Sequence, residues 1–185
     1  MSSREALLDG ARRCLQERGY AHTTARDVAA ASGVGLASIG YHFGSKDALL
    51  DEALRAAMAE WTEEVVAAAL AVGADCPPWD RLRAAMAKLT DSFATQRPIM
   101  IAFVEALGRA EREPTLRADL AAAYEQLRAG ITGVLGELGG RDLASLIVAL
   151  TDGMLVQWLL DPEHTPSGAA VIDALGNALD AGLRD

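Results

Sequence analysis

Among its 185 residues the chain has only two cysteines, three histidines and nine aromatic residues. Each scarcity removes a class of explanation. Cys14 and Cys76 lie far apart with no companion ligands, so neither a disulfide nor a metal site is expected. Cys14 reads as a small apolar residue of a helix. His22, His42 and His164 fall in three separate segments, none with the spacing of a nucleophile–base pair. The HExxH, GxSxG, Walker-type and GxGxxG patterns are all missing. No catalytic residue and no cofactor is therefore expected, and the chain does not read as an enzyme. No unbroken apolar run reaches bilayer length, and the opening MSSREALLDGARR lacks the apolar core of a signal peptide. The expected location is the cytoplasm, with no membrane partner.

What the chain does have is alanine and leucine, within a hydrophobic share of 51%. Both residues lose little on entering a helix. The spacing of apolar residues predicts about nine helices and no strand, hence an all-α fold. Charge is divided unevenly. The net charge of −9 arises from six Lys/Arg against five Asp/Glu in residues 1–50, and eleven against twenty-one in the rest. A near-neutral head on an acidic body excludes non-specific coating of nucleic acid but allows a small, local phosphate contact.

That head is the most informative stretch. A first helix is predicted over Arg4–Arg18, ended by Gly19, with Tyr20 and His22 in the connection. Thr24 is a good N-cap, and Asp27 suits the helix dipole three residues on. Ser32-Gly33 stops this short helix, with Gly33 as the left-handed closing residue. A second short helix follows over Leu36–Phe43, with Ile39 and Phe43 one turn apart on its core side. Gly44 ends it, and Ser45 caps the next helix, which Lys46 opens. Helix, glycine turn, helix is the arrangement that presents its second helix to the DNA major groove.

These residues resemble the DNA-binding domain of the tetracycline-repressor (TetR) family. The likeness rests on Thr24, Val28-Ala29, Ser32-Gly33-Val34, Tyr41-His42-Phe43, Ser45-Lys46-Asp47 and Leu49, in order and without gaps. The resemblance implies phosphate contacts from Thr24, Tyr41, His42 and Lys46. Independently, Arg26 carries the fork that pairs with guanine. The second helix itself offers Gly35, Leu36, Ala37, Ser38 and Gly40, a set poor in hydrogen-bonding groups. Base reading would then fall to Arg26, Ser38, apolar contacts with thymine methyls, and DNA shape.

After residue 45 the pattern reads as one long helix to about Leu70, expected to bridge head and body, and a loop closed by Cys76-Pro77-Pro78. Further helices are predicted over Trp79–Gln96, from Pro98 onward with Pro98 in the first turn, over Thr115–Leu138 stopped by Gly139-Gly140, and over Arg141–Leu160. Ser167 caps the last. The expected domains are 1–45, a three-helix DNA-binding domain, and 46–185, a helical bundle for ligand binding and dimerisation. The resemblance implies a homodimer through the helices near 141–160 and 167–183. The first of these is apolar on more than one face, as packing on two neighbours requires. It further implies double-stranded operator DNA as partner and repression relieved by a small molecule. Trp61, Met86, Phe93, Met100, Phe103 and Tyr124 belong to successive body helices and are candidates to line its cavity. The alternative is a helical small-molecule-binding or sequestering protein without operator-specific DNA binding.

Overall fold

A computed structural model describes residues 2–73, 75–136 and 140–182. All regular structure among the described residues is helical: α1 (Ser3–Arg18), α2 (Ala25–Ser32), α3 (Ala37–Phe43), α4 (Lys46–Ala71), α5 (Pro78–Asp91), α6 (Phe93–Ala110), α7 (Pro114–Leu135), α8 (Arg141–Leu160) and α9 (Gly168–Gly182). The predicted all-α class and element order are those observed.

Two compact units can be separated. One contains the chain up to Trp61 together with Thr95–Ala118; the other contains Thr62–Ala94 and the chain from Asp119 onward. In the first, Leu7, Ala11, Cys14 and Leu15 of α1 are buried, as are Val28 of α2, Ile39 of α3, and Leu49, Leu50 and Ala53 of α4. Ile99, Met100, Ala102, Phe103 and Ala106 of α6 are also buried. The second unit buries Leu82, Met86 and Leu89 of α5, Phe93 at the start of α6, Ile147, Val148, Met154 and Leu155 of α8, and Ile172 of α9. Phe93 lies 5.6 Å from Trp158, ring centre to ring centre. Gly168, at the start of α9, sits so close to α5 that a Cβ there would lie 1.9 Å from the Met86 carbonyl oxygen.

Three expectations need correction. The helix predicted over Trp79–Gln96 ends at Asp91. Ser92 donates its N–H to the carbonyls of Lys88 and Leu89, at 3.1 and 3.2 Å, and its hydroxyl to Leu89 at 2.7 Å. These local bonds let the chain turn, and Phe93 starts a new helix fully buried, so Pro98 lies inside α6. In α6 the buried residues are Ile99, Met100, Ala102, Phe103, Ala106 and Ala110, while Val104 and Leu107 are exposed. The helix predicted to reach Leu138 ends at Leu135, where Gly136 takes a φ of 58°; Leu138 and Gly139 lie outside the described residues. By length and composition alone α8 also passes as a membrane-crossing helix, a test that core helices pass as well. Its apolar positions are interrupted by Thr151, Asp152 and Gln157, which is why no unbroken run marks it in the sequence.

Candidate nucleic-acid interface

The first unit builds a helix-turn-helix from α2 and α3, backed by α1 and the start of α4. The α1–α2 packing depends on Gly10, where a Cβ would come within 2.9 Å of Ser32. Arg13 secures the same contact by donating to the Ala31 carbonyl. At the entry to α2, Thr24 and Asp27 complete a reciprocal capping box. Asp27 N–H donates to Thr24 Oγ1 at 3.2 Å, and Thr24 N–H donates to Asp27 Oδ2 at 2.9 Å. The Thr24 hydroxyl also donates to that carboxylate at 2.6 Å. These Thr24 bonds, followed by the charge of Arg18, hold the Asp27 carboxyl below its ordinary range. Gly33 closes α2 at φ 69°, ψ 13°, a left-handed turn that a side chain would strain.

α3 is anchored by Ile39, which is 4% exposed. The Phe43 predicted for the core is only half-buried, and the Arg4 guanidinium lies 5.0 Å from its ring centre. This cation on the ring face does the covering that hydrocarbon would do in an interior. Ser45 caps α4 as expected, accepting from Ala48 N–H at 3.0 Å.

Of the residues predicted to contact DNA, Thr24, Arg26, Gly35, Leu36, Ala37 and Tyr41 are exposed, while Ser38, His42 and Lys46 are half-buried. Tyr41 is 86% exposed, so its ring belongs to no core. The His42 ring meets it edge-on, with centres 4.9 Å apart. Arg26 makes no ion pair among the described residues. Lys46 is already engaged: its ammonium donates to the Thr23 carbonyl at 3.3 Å and pairs with Asp47 at 3.1 Å. The structure thus divides the set into committed groups, Thr24 and Lys46, and outward groups, Arg26, Leu36 and Tyr41.

The connection before α2 is not the plain loop that the sequence suggests. Tyr20 is buried, and its hydroxyl donates to Asp51 at 2.8 Å. Burial, then this bond, raises the phenol's pKa well above its ordinary value. Thr23 is 1% exposed and donates to the Gly19 carbonyl at 2.7 Å. An aromatic immediately after a helix-ending glycine was the one available signal of this anchor.

With this geometry in place, similarity to known proteins can be stated. Residues 7–53 match the family described as bacterial regulatory proteins, tetR family, and residues 77–181 match the tetracyclin repressor-like C-terminal domain. The chain belongs to the tetR family. It is a helix-turn-helix DNA-binding transcriptional regulator. Among curated relatives, the HTH-type transcriptional regulator BetI of Burkholderia thailandensis is 30% identical over 161 residues, covering 84% of this chain and 80% of that one. BetI of Burkholderia mallei is 28% identical over 173 residues, covering 91% and 87%. Among solved structures, the multidrug binding protein EbrR complexed with proflavin matches with a TM-score of 0.69 at 28% identity, covering 96% of this chain and 99% of that one. A TetR transcription regulator from Haloarcula marismortui shares the fold, with a TM-score of 0.73 at 18% identity and 97% coverage of both chains.

The residues predicted to line a ligand cavity fall into both units. Trp61, Met100 and Phe103 are buried in the first; Met86, Phe93 and half-buried Tyr124 belong to the second. In the second unit Tyr124 donates its hydroxyl to Asp152 at 2.9 Å, and Thr151 approaches the Met86 sulfur at 3.8 Å. Burial pushes the Asp152 carboxyl above its ordinary range, and the Tyr124 bond partly opposes this.

Proposed function

We propose that this regulator is a homodimeric repressor that binds a palindromic operator and leaves it when a small molecule occupies the C-terminal domain. The observation that carries the DNA half of this reading is the surface of α2 and α3. Arg26, Leu36 and Tyr41 point outward from helices whose other sides are pinned by buried Val28 and Ile39. In this reading residues 1–45 form the DNA-binding domain and 46–185 the ligand-binding and dimerisation domain. Tyr41, His42, Thr24 and Lys46 lie along the phosphates, while Arg26, Ser38 and the outer face of α3 meet the bases.

The dimer is supported by apolar side chains left uncovered on α8 and α9. Leu146 is 45% exposed, Val156 48% and Leu160 82%, with Leu179 of α9 at 48%. Leu146, Leu150, Gly153, Val156 and Leu160 recur at helical spacing. Two-fold symmetry then sets half-sites about one helical turn, or a multiple of it, apart.

Ligand release is supported by the likeness to EbrR, whose structure holds proflavin, and by Met86, Phe93 and Tyr124 gathering in one unit. The ligand would act by favouring a dimer whose two heads no longer match the half-sites, without turnover. The working compartment is the cytoplasm, where the operator is. The reading is tested by selecting duplexes from a random 30-bp pool, scale set by two half-sites, and titrating them over a salt series. A shared inverted repeat bound in preference to scrambled DNA is expected. Equal, salt-labile binding to all duplexes would leave the sequestering protein as the better description. Once a ligand is found, equal affinity for free and operator-bound protein would break the proposed coupling.

A further inference from the structure

Gly40 occupies the middle of α3 for no reason internal to the chain. Its backbone is not in the left-handed region, and a Cβ built there would meet nothing within 4 Å. Glycine is the poorest helix former after proline, so this choice weakens α3 without helping any contact inside the protein. A mid-element glycine of this kind marks a place where something approaches the backbone closely. Gly40 is exposed on the face that carries Leu36 one turn earlier, and Leu36 is 50% exposed.

The chemistry of that face is restricted. α3 exposes no Asn, Gln, Lys or Arg, the side chains that read guanine or adenine through paired hydrogen bonds. Beyond the Ser38 and Tyr41 hydroxyls and the His42 ring, it offers hydrocarbon. In the major groove the base feature that hydrocarbon recognises is the C5-methyl group of thymine.

We propose that Leu36 reads a thymine methyl in each operator half-site, and that the gap at Gly40 lets α3 seat deeply enough for Leu36 to reach it. This rests on the operator-binding reading above and specifies what the operator must contain. The test uses duplexes selected with the wild-type protein, each thymine replaced in turn by deoxyuridine, which lacks only that methyl. Replacement in one half-site is expected to weaken binding about fourfold, and in both half-sites about fifteenfold, from the transfer value of one buried carbon. Leu36→Ala should bind thymine and uridine duplexes equally. Gly40→Ala should melt at or above the wild-type temperature, yet bind the thymine duplex at least about tenfold more weakly and lose most of the uridine effect.

Wild-type protein that binds the selected repeat specifically but ignores every uridine replacement overturns the proposal and leaves the operator reading intact. A uridine penalty retained by Leu36→Ala, or unchanged affinity in Gly40→Ala, overturns it as well. A pool that yields no shared sequence removes the operator reading itself.

Discussion

Arg109 holds Asp51 with both terminal nitrogens, Nη1 to Oδ1 and Nη2 to Oδ2, each at 2.9 Å. Asp51 Oδ1 also accepts the Tyr20 hydroxyl, and the guanidinium lies 4.7 Å from the Tyr20 ring centre. Arg109 Nε and Nη2 reach Glu113 at 3.1 and 2.9 Å. The α1–α2 connection, α4 and the end of α6 meet at this one cluster. The two charged side chains are only 21% and 17% exposed. An ion pair so withdrawn from water holds because the fork is bidentate and Nε and Nη2 find a second carboxylate in Glu113.

Removing one partner therefore leaves the other charge uncompensated. Arg109→Ala is expected to lower unfolding free energy by about 2–3 kcal/mol, discounted for the remaining solvent access. Arg109→Lys should recover less than half of this, because an ammonium cannot form the paired contact. Tyr20→Phe should cost about 1 kcal/mol. Urea titration of the three variants decides it; an Arg109→Ala midpoint equal to wild type would show the pair to be ornamental.

This cluster also marks the limit of what the sequence disclosed. Thr24, Gly33, Gly44 and Ser45 act through rules local to a few residues, so the helix-turn-helix was readable from order and spacing alone. So was α8, bounded by Gly140 and Asp161. Tyr20, Asp51 and Arg109 are brought together only by the tertiary fold, and nothing in their local sequence couples them. Phe43 misled for the opposite reason: its spacing fits a core position, but Arg4 shields the ring that hydrocarbon leaves open. Nor could the sequence show that Thr24 and Lys46 are already hydrogen-bonded within the chain.

The two outward polar groups, Arg26 and Tyr41, should separate in DNA binding. Arg26→Ala is expected to weaken binding to the selected operator by about 1–3 kcal/mol and to relax preference at one base pair, as loss of a forked base contact does. Tyr41→Phe should weaken all duplexes by a similar small factor, leaving the preference intact. Fluorescence anisotropy on the operator and its single-base variants provides the comparison. If Arg26→Ala weakens every duplex equally, Arg26 serves the backbone instead.

Acid should act on two carboxylates with opposite sign. Hydrogen bonds from Arg128, then Arg141, lower the Glu125 pKa from 4.5 to about 2. Its contribution is present above about pH 4.5 and disappears as pH falls from there to about 2. Asp152 is shifted upward by burial, so its charge opposes folding at neutral pH and protonation relieves that cost. Glu125→Gln should flatten the decline in urea midpoint between pH 4.5 and 2. Asp152→Asn should raise the midpoint at pH 7 and leave it unchanged in strong acid, since the amide oxygen still accepts from Tyr124. A lower midpoint for Asp152→Asn at pH 7 would mean that the carboxylate has a favourable partner.

The uncovered face of α8 gives the dimer its sharpest test. Val156 is 48% exposed and sits one turn from Gly153 and Leu160. A glutamate at this place costs a monomer little, because the side chain would reach water. In a symmetric interface the same substitution puts two carboxylates near a shared axis, unpaired and desolvated. Val156→Glu should therefore keep wild-type helicity by circular dichroism while sedimenting as a monomer. It should also bind the selected inverted repeat at least about tenfold more weakly, each head then holding one half-site alone. A variant that still sediments as a dimer and binds as wild type would move the interface off this face of α8.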